Sequence, residues 1–254
     1  MSLLISFRSE ILKTKRTSSG YLCIIGALLL PASQMIDYIF DDGVAKLPND
    51  PWNRYLFNGF EPLTILILPL CIILLCTLIP QIEYRNNTWK QLFTSPQKRR
   101  DIFLAKFLNI QMMLLLLLLL YNVFLLLSAL VVALAMPTVK FFDHRIDWFT
   151  LIALNAKAYV ATFAISTIQF WMGLRFKNFI TPLAIGFGLW VMAGMILLEF
   201  KMPNAWLFPY TYPLLTVHPD YKYLGNSLLW ISLGFGSVFL AMAFLEFRYR
   251  TIRS

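Results

Sequence analysis

Six long apolar runs dominate this chain, at Tyr21–Phe40, Leu63–Ile79, Phe107–Met136, Trp148–Leu174, Ile180–Phe200 and Leu224–Phe247. Each reaches or approaches the roughly 20 residues a helix needs to cross a bilayer core. In hydrocarbon every backbone N–H and C=O must be satisfied internally, which leaves helices or closed barrels as spanning structures. A barrel strand alternates apolar and polar residues at period two, and these runs are continuous, so the barrel is excluded. Composition agrees: 59% of residues are hydrophobic and 14% charged, against about 25% charged in soluble domains. The expected fold is all-α and polytopic, with six transmembrane helices in a single transmembrane domain over residues 1–254. The third and fourth runs exceed the hydrocarbon thickness and must tilt or emerge into the headgroups. Met112–Leu120 is pure Met and Leu and reads as a lipid-facing stripe.

The flanking charges set an orientation. Residues up to Ser19, the loop Pro80–Lys106, the turn Arg175–Lys177 and the C-terminal tail together carry fifteen Lys and Arg against Glu10, Glu83, Asp101 and Glu246. The opposite loops hold Asp37, Asp41, Asp42, Asp50, Glu61, Asp143, Asp147, Glu199 and Asp220 against six bases. The positive-inside rule places both termini in the cytoplasm, and an even number of spans agrees in putting them on one side. The formal charge of +9 is thus a topology signal. A nucleic-acid partner is not expected, because no basic domain with interleaved aromatics exists. The first apolar run is too long for a signal-peptide core, so no cleavable signal is expected. Cys23, Cys71 and Cys76 lie in apolar runs and read as small buried hydrophobes, with no disulfide or metal site.

Two polar segments stand out. In residues 1–19, Leu3, Leu4, Phe7, Ile11 and Leu12 alternate with Arg8, Glu10, Lys13, Lys15 and Arg16, as in an amphipathic helix lying in the membrane interface. It serves as an anchor for the first span or transmits movement to it. Residues 80–106 contain a second predicted helix, with Ile82, Trp89, Leu92 and Phe93 near one face and Glu83, Asn86, Asn87 and Lys90 on another. Pro96 ends it. Trp89, Leu92 or Phe93 would fill a partner's groove and Glu83 would pair with a partner arginine, unless the segment folds back on the bundle. The basic run Gln97–Lys106 would rest at anionic headgroups, making membrane lipids a further partner.

Within the spans, Lys157, near Asn155, either lines a cavity or chain interface or snorkels to the outer surface. Gln169, with Thr162, Ser166 and Thr167, ties helices together or faces a substrate. Glu61 caps the second span or gates it. Residues 201–223 are rich in Pro and aromatics: an aromatic belt, or an outer gate including Glu61, Trp206, Tyr210 and Tyr212. An intramembrane enzyme is the second alternative, though His144 and His218 are isolated and the spans contain no Ser–His, paired Asp or His–Glu constellation.

The layout resembles the permease subunits of ABC-2 type transporters, most closely the small lantibiotic-immunity and bacitracin-resistance permeases. The resemblance rests on the basic N-terminal helix, six spans, and the run Glu83-Tyr84-Arg85-Asn86-Asn87-Thr88-Trp89-Lys90-Gln91-Leu92 followed by Ser95-Pro96 and Ala105-Lys106. It implies that the loop after span two holds a coupling helix, with Glu83, Arg85, Asn87, Thr88, Trp89, Leu92 and Phe93 engaging a cytoplasmic ABC ATPase. It also implies re-entrant helices at the outer leaflet and a second permease chain, identical or closely related. The chain lacks a Gly-rich Lys/Thr phosphate loop, so ATP and Mg are expected in the partner and no cofactor in this chain. The expected function is export of an amphipathic or hydrophobic substrate, such as an antimicrobial peptide, antibiotic or lipid-linked compound, across the bacterial inner membrane. A non-transporting assembly or sensor subunit that binds an ATPase is the main alternative.

Overall fold

A computed structural model describes residues 3–15, 17–40, 50–94, 97–139, 141–217 and 225–249. The expectations for Arg16, Asp41, Asp42, Ser95, Pro96, His218 and Asp220, and for the side chains of Lys90 and Phe93, lie outside that set. The described chain is all-α. Helix α1 (Leu3–Thr14) precedes six helical stretches long and apolar enough to span a membrane. They are α2 (Ser18–Phe40); α3 (Pro51–Pro62) continuing into α4 (Leu68–Arg85); α6 (Arg99–Ala135); α7 (Trp148–Ala161) joined to α8 (Phe163–Arg175); α9 (Ile180–Gly194) with its extension; and α11 (Ser227–Tyr249). Two short helices complete the set, α5 (Trp89–Thr94) and α10 (Tyr212–Leu215).

Two spans start well before their apolar runs, by two helical turns or more. The second begins at Pro51, where the Asp50 side chain accepts from the Asn53 N–H and proline sits in the first turn, as N-caps and first turns favour. Glu61 therefore does not cap a helix start; it is exposed in the last turn of α3, inside a continuous span. The third span begins at Arg99 rather than Phe107.

Prolines account for the irregularities of the second span. Leu63–Ile67 forms a π-helical turn between Pro62 and Pro69, a usual response to a broken hydrogen-bond ladder. Pro69 has no N–H for the carbonyl four residues earlier, Ile65. The Trp190 indole of α9 donates to that carbonyl at 3.0 Å. Trp190→Phe keeps the ring but removes the donor from a partly buried carbonyl. It is expected to cost about 1–3 kcal/mol, read as a lower unfolding midpoint in detergent; an unchanged midpoint would mean the bond adds nothing.

Helix α6 runs through the centre, with α1 and α2 against it, while α8 packs between α4 and α11. Met112–Leu120 is not a uniform lipid stripe. Met113, Leu114, Leu117 and Leu118 enter the core, and Leu115, Leu116 and Leu119 face outward, because a helix turns 100° per residue and an all-apolar run fills both faces. Outward apolar residues such as Leu29, Ile36, Val191, Trp230 and Val238 cover the bundle, as lipid contact requires.

Candidate functional site: a buried charge tetrad

The end of the bundle carrying α1, α5 and the start of α6 holds a closed set of four charges. Glu10 and Lys13 face inward from one turn of α1, Glu83 from the last turns of α4, and Lys106 from the second turn of α6. Lys106 Nζ lies 2.8 Å from Glu10 Oε2 and 2.6 Å from Glu83 Oε1; Lys13 Nζ lies 2.7 Å from Glu10 Oε1 and 2.9 Å from Glu83 Oε1. Side chains of Lys106 and Glu83 are each 1% exposed. The tetrad is neutral, which is what lets it be buried: an unpaired ion there would cost several kcal/mol. Burial by itself would raise the Glu10 carboxyl, but Lys106 and Lys13 outweigh it and hold the group below its ordinary 4.5. Burial would lower Lys13, and Glu10 and Glu83 instead raise it above 10.5.

Backbone geometry brings these groups together. Helix α4 ends in a Schellman turn: Thr88 N–H donates to Glu83 C=O at 3.0 Å and Asn87 N–H to Tyr84 C=O at 3.3 Å, with Asn87 at φ 52°. Asparagine tolerates this left-handed region better than other non-glycine residues. The chain reverses there and restarts as α5, so the single helix expected through Ile82–Phe93 is two helices. Trp89 then folds inward, 5.3 Å from the Tyr84 ring and 6.0 Å from the Phe247 ring, with Lys106 Nζ 5.8 Å from its centroid. Along the same seam Ser6 donates to Gln97 at 3.2 Å and Asn109 to Thr14 at 3.4 Å. Helix α1 is thereby clamped along the first three turns of α6 and the residues before it.

These contacts correct two expectations. Glu83 and Trp89 face inward rather than outward: Glu83 pairs through Oε1 with Lys13 and Lys106, and Trp89 packs on Tyr84 and Phe247, because the turn at Asn87 swings Trp89 back over Lys106. Lys106 does not rest at headgroups, since it falls on the buried stripe of α6 with Ile102, Phe103 and Ile110. The outward edge consists of Arg85, Asn86, Asn87, Gln91 and Thr94, which are exposed, with Thr88 and Leu92 half-buried. The sequence pattern assigns Glu10 and Lys13 to an interfacial helix and Lys106 to a headgroup run, and gives no sign that the three meet Glu83 in one site. A cleft of about 370 Å³ opens between α1 and α5, lined by Ser9, Lys13, Glu83, Thr88 and Gln97 among others. Glu83 Oε2 is buried without a hydrogen bond among the described residues.

The residues proposed for a cavity do not converge. Asn155 exchanges two amide hydrogen bonds with Asn122 of α6, at 2.7 and 3.0 Å. Lys157 is exposed on α7. Gln169 is fully buried, donating to Thr77 at 3.3 Å and Pro182 C=O at 2.8 Å while accepting from Tyr210 at 2.9 Å. That last bond locks a segment re-entering the bundle. After α9 and its extension, residues 205–207 and 209–211 form 3-10 turns leading to α10, and Tyr210, Tyr212, Leu214 and Leu215 are buried. Trp206 stays half-buried at its edge.

No curated protein matches this chain. Residues 6–194 of the 254 match the family model described as ABC-2 family transporter protein. That match takes in α1, the tetrad and the first five spans up to Gly194, so this polytopic membrane protein belongs to the ABC-2 transporter family as a permease subunit.

Proposed function

We propose that this chain is the membrane half of an ATP-driven exporter, working as a pair of permease chains with a cytoplasmic ABC ATPase that holds the ATP and Mg. The basic end of the bundle then lies in the cytoplasm of a bacterial cell, with both termini there, by the charge asymmetry of its loops. The observation that carries the reading is the buried tetrad. It joins α1, the end of span two and the start of span three into one block, so a push on the exposed edge of α5 is delivered to three elements at once. In this reading α1 is an interfacial helix, residues 80–106 are the coupling segment, and Asn87, Thr88 and Leu92 act at the ATPase surface. Glu83 and Trp89 act from behind, as the brace holding that edge in place.

The cargo is an amphipathic or hydrophobic molecule, of the antimicrobial-peptide, antibiotic or lipid-linked kind. Support comes from the intramembrane polar groups Asn155 and Gln169, which are taken up by helix-to-helix bonds and leave no array of charges suited to a small ion. The re-entrant segment with Trp206, Tyr210 and Tyr212, and Glu61 nearer the outer end, form the outer gate. The test is purification of the chain with its ATPase in mild detergent. A stoichiometric ATPase is expected, and Thr94→Trp, which adds bulk to the exposed edge outside the cleft that Lys13 and Glu83 line, should weaken its retention about tenfold, the scale of one good interface side chain. A chain that carries no ATPase even in native lipid would defeat the proposal.

A further inference from the structure

A second cleft, of about 460 Å³, opens at the basic end on the other side of α4 from the tetrad. Leu78, Ile82 and Arg85 line it from one stripe of α4, spaced i, i+4 and i+7. Across from them stand Lys177 and Phe179 of the α8–α9 turn and the hydroxyl residues Thr17 and Ser18 at the start of α2. The turn is held in place by α4 itself: the Gln81 amide donates to Phe176 C=O at 3.0 Å and to Asn178 C=O at 3.1 Å. The backbone on either side of Lys177 is therefore tied to the helix that carries Arg85.

Among the described residues neither Arg85 nor Lys177 makes an ion pair, whereas the neighbouring Arg175 reaches Glu246 at 3.6 Å and stacks on Trp171 at 5.2 Å. Two cations without an ion-pair partner among the described residues thus line one cleft with the apolar side chains of Leu78, Ile82 and Phe179. Charge complementarity requires an anion. The wall of Leu78, Ile82 and Phe179 requires that the anion carry hydrocarbon, which inorganic phosphate does not. We infer that this cleft binds the phosphate of an anionic phospholipid from the leaflet at the basic end, with the phosphate between Arg85 and Lys177 and the first methylenes of the acyl chains against Leu78 and Ile82. Such a lipid bridges the ends of spans one, two, four and five. The inference stands on the cleft alone and holds whether or not α5 contacts an ATPase.

The test uses the full chain purified in zwitterionic detergent and native mass spectrometry with added lipid. Phosphatidylglycerol should be retained in preference to phosphatidylcholine. Arg85→Gln and Lys177→Gln should each cut that retention about fivefold, the effect expected of one basic residue at an anionic surface. Arg54→Gln with Arg145→Gln, exposed cations at the opposite end of the bundle, should leave it unchanged. Equal retention of the two lipids, or an equal loss in the Arg54/Arg145 control, overturns the inference. Displacement by millimolar inorganic phosphate also overturns it, in favour of a free-anion site. Should the cleft variants not fold, photoreactive phosphatidylglycerol on the wild-type chain decides: labelling within 78–85 or 177–179 supports the site, and labelling confined elsewhere rejects it.

Discussion

Lys106→Met is expected to destabilise the protein by about 3–5 kcal/mol, the range for removing one member of a buried ion pair. Methionine fills much the same volume, so the loss is electrostatic: Glu10 and Glu83 would be left buried with Lys13 as their one cation. Thermal unfolding in detergent should show a lowered midpoint, and α1 should become protease-sensitive. Adding Glu83→Gln to Lys106→Met should recover part of the loss, since the tetrad is then neutral again, and the shortfall from additivity measures the coupling. Two losses that simply add would mean that these groups do not act as a unit. The wild-type pH profile follows from the same contacts. The folded-state value of Glu10 lies below 4.5, so its contribution is complete above about 4.5 and is lost as pH falls through the lower folded value. Lys13 is raised above 10.5, so its contribution is complete below about 10.5 and is lost as pH rises through the folded value. Docking of α1 should be insensitive to pH between those limits and weaken outside them.

The spans were legible because bilayer crossing is a constraint of length and hydrophobicity, both of which are local. Their ends were less so. The start of span two at Pro51 depends on the Asp50 cap and on the burial of Trp52, Tyr55 and Phe60, an amphipathic turn that a search for continuous apolar residues passes over. The importance of the segment around Glu83 was visible in its polarity. The direction its side chains face was not, because one left-handed residue, Asn87, decides it. Reading residues 82–93 as one helix put Trp89 and Glu83 at the surface; breaking it at Asn87 puts both inside. The cations that meet Glu83 were recoverable in principle. Lys106 falls three and four residues after Phe103 and Ile102, on the apolar stripe of its helix, where an unpaired lysine is costly. Its partnership with Glu10, 96 residues away, belongs to tertiary packing.

Gly173→Ala should be damaging, although alanine is the better helix former by about 1 kcal/mol. A Cβ at this position would sit 2.2 Å from the backbone oxygen of Cys76. Pro80 explains why the two helices come so close there. It has no N–H to give the carbonyl four residues earlier, which is that of Cys76, and the freed oxygen faces the Cα of Gly173. The clash is with backbone, so no rotamer change relieves it, and α4 and α8 must part by roughly 1 Å, enough to forfeit a quarter or more of each dispersion contact along the crossing. The polar ties on either side resist that parting: Gln169 to Thr77 in one direction, and Gln81 to Phe176 together with Tyr84 to Leu174 in the other. Overpacking of this kind costs about 1–3 kcal/mol, which exceeds the helix-propensity gain. Gly188→Ala is the matched control. Nothing lies within 4 Å of a Cβ there, so the propensity gain stands alone and the midpoint should rise slightly. If both substitutions raise the midpoint in detergent, the α4–α8 crossing is not held at the distance described. If Gly173→Ala falls while Gly188→Ala rises, the close contact at the Cys76 carbonyl sets the spacing of spans two and four.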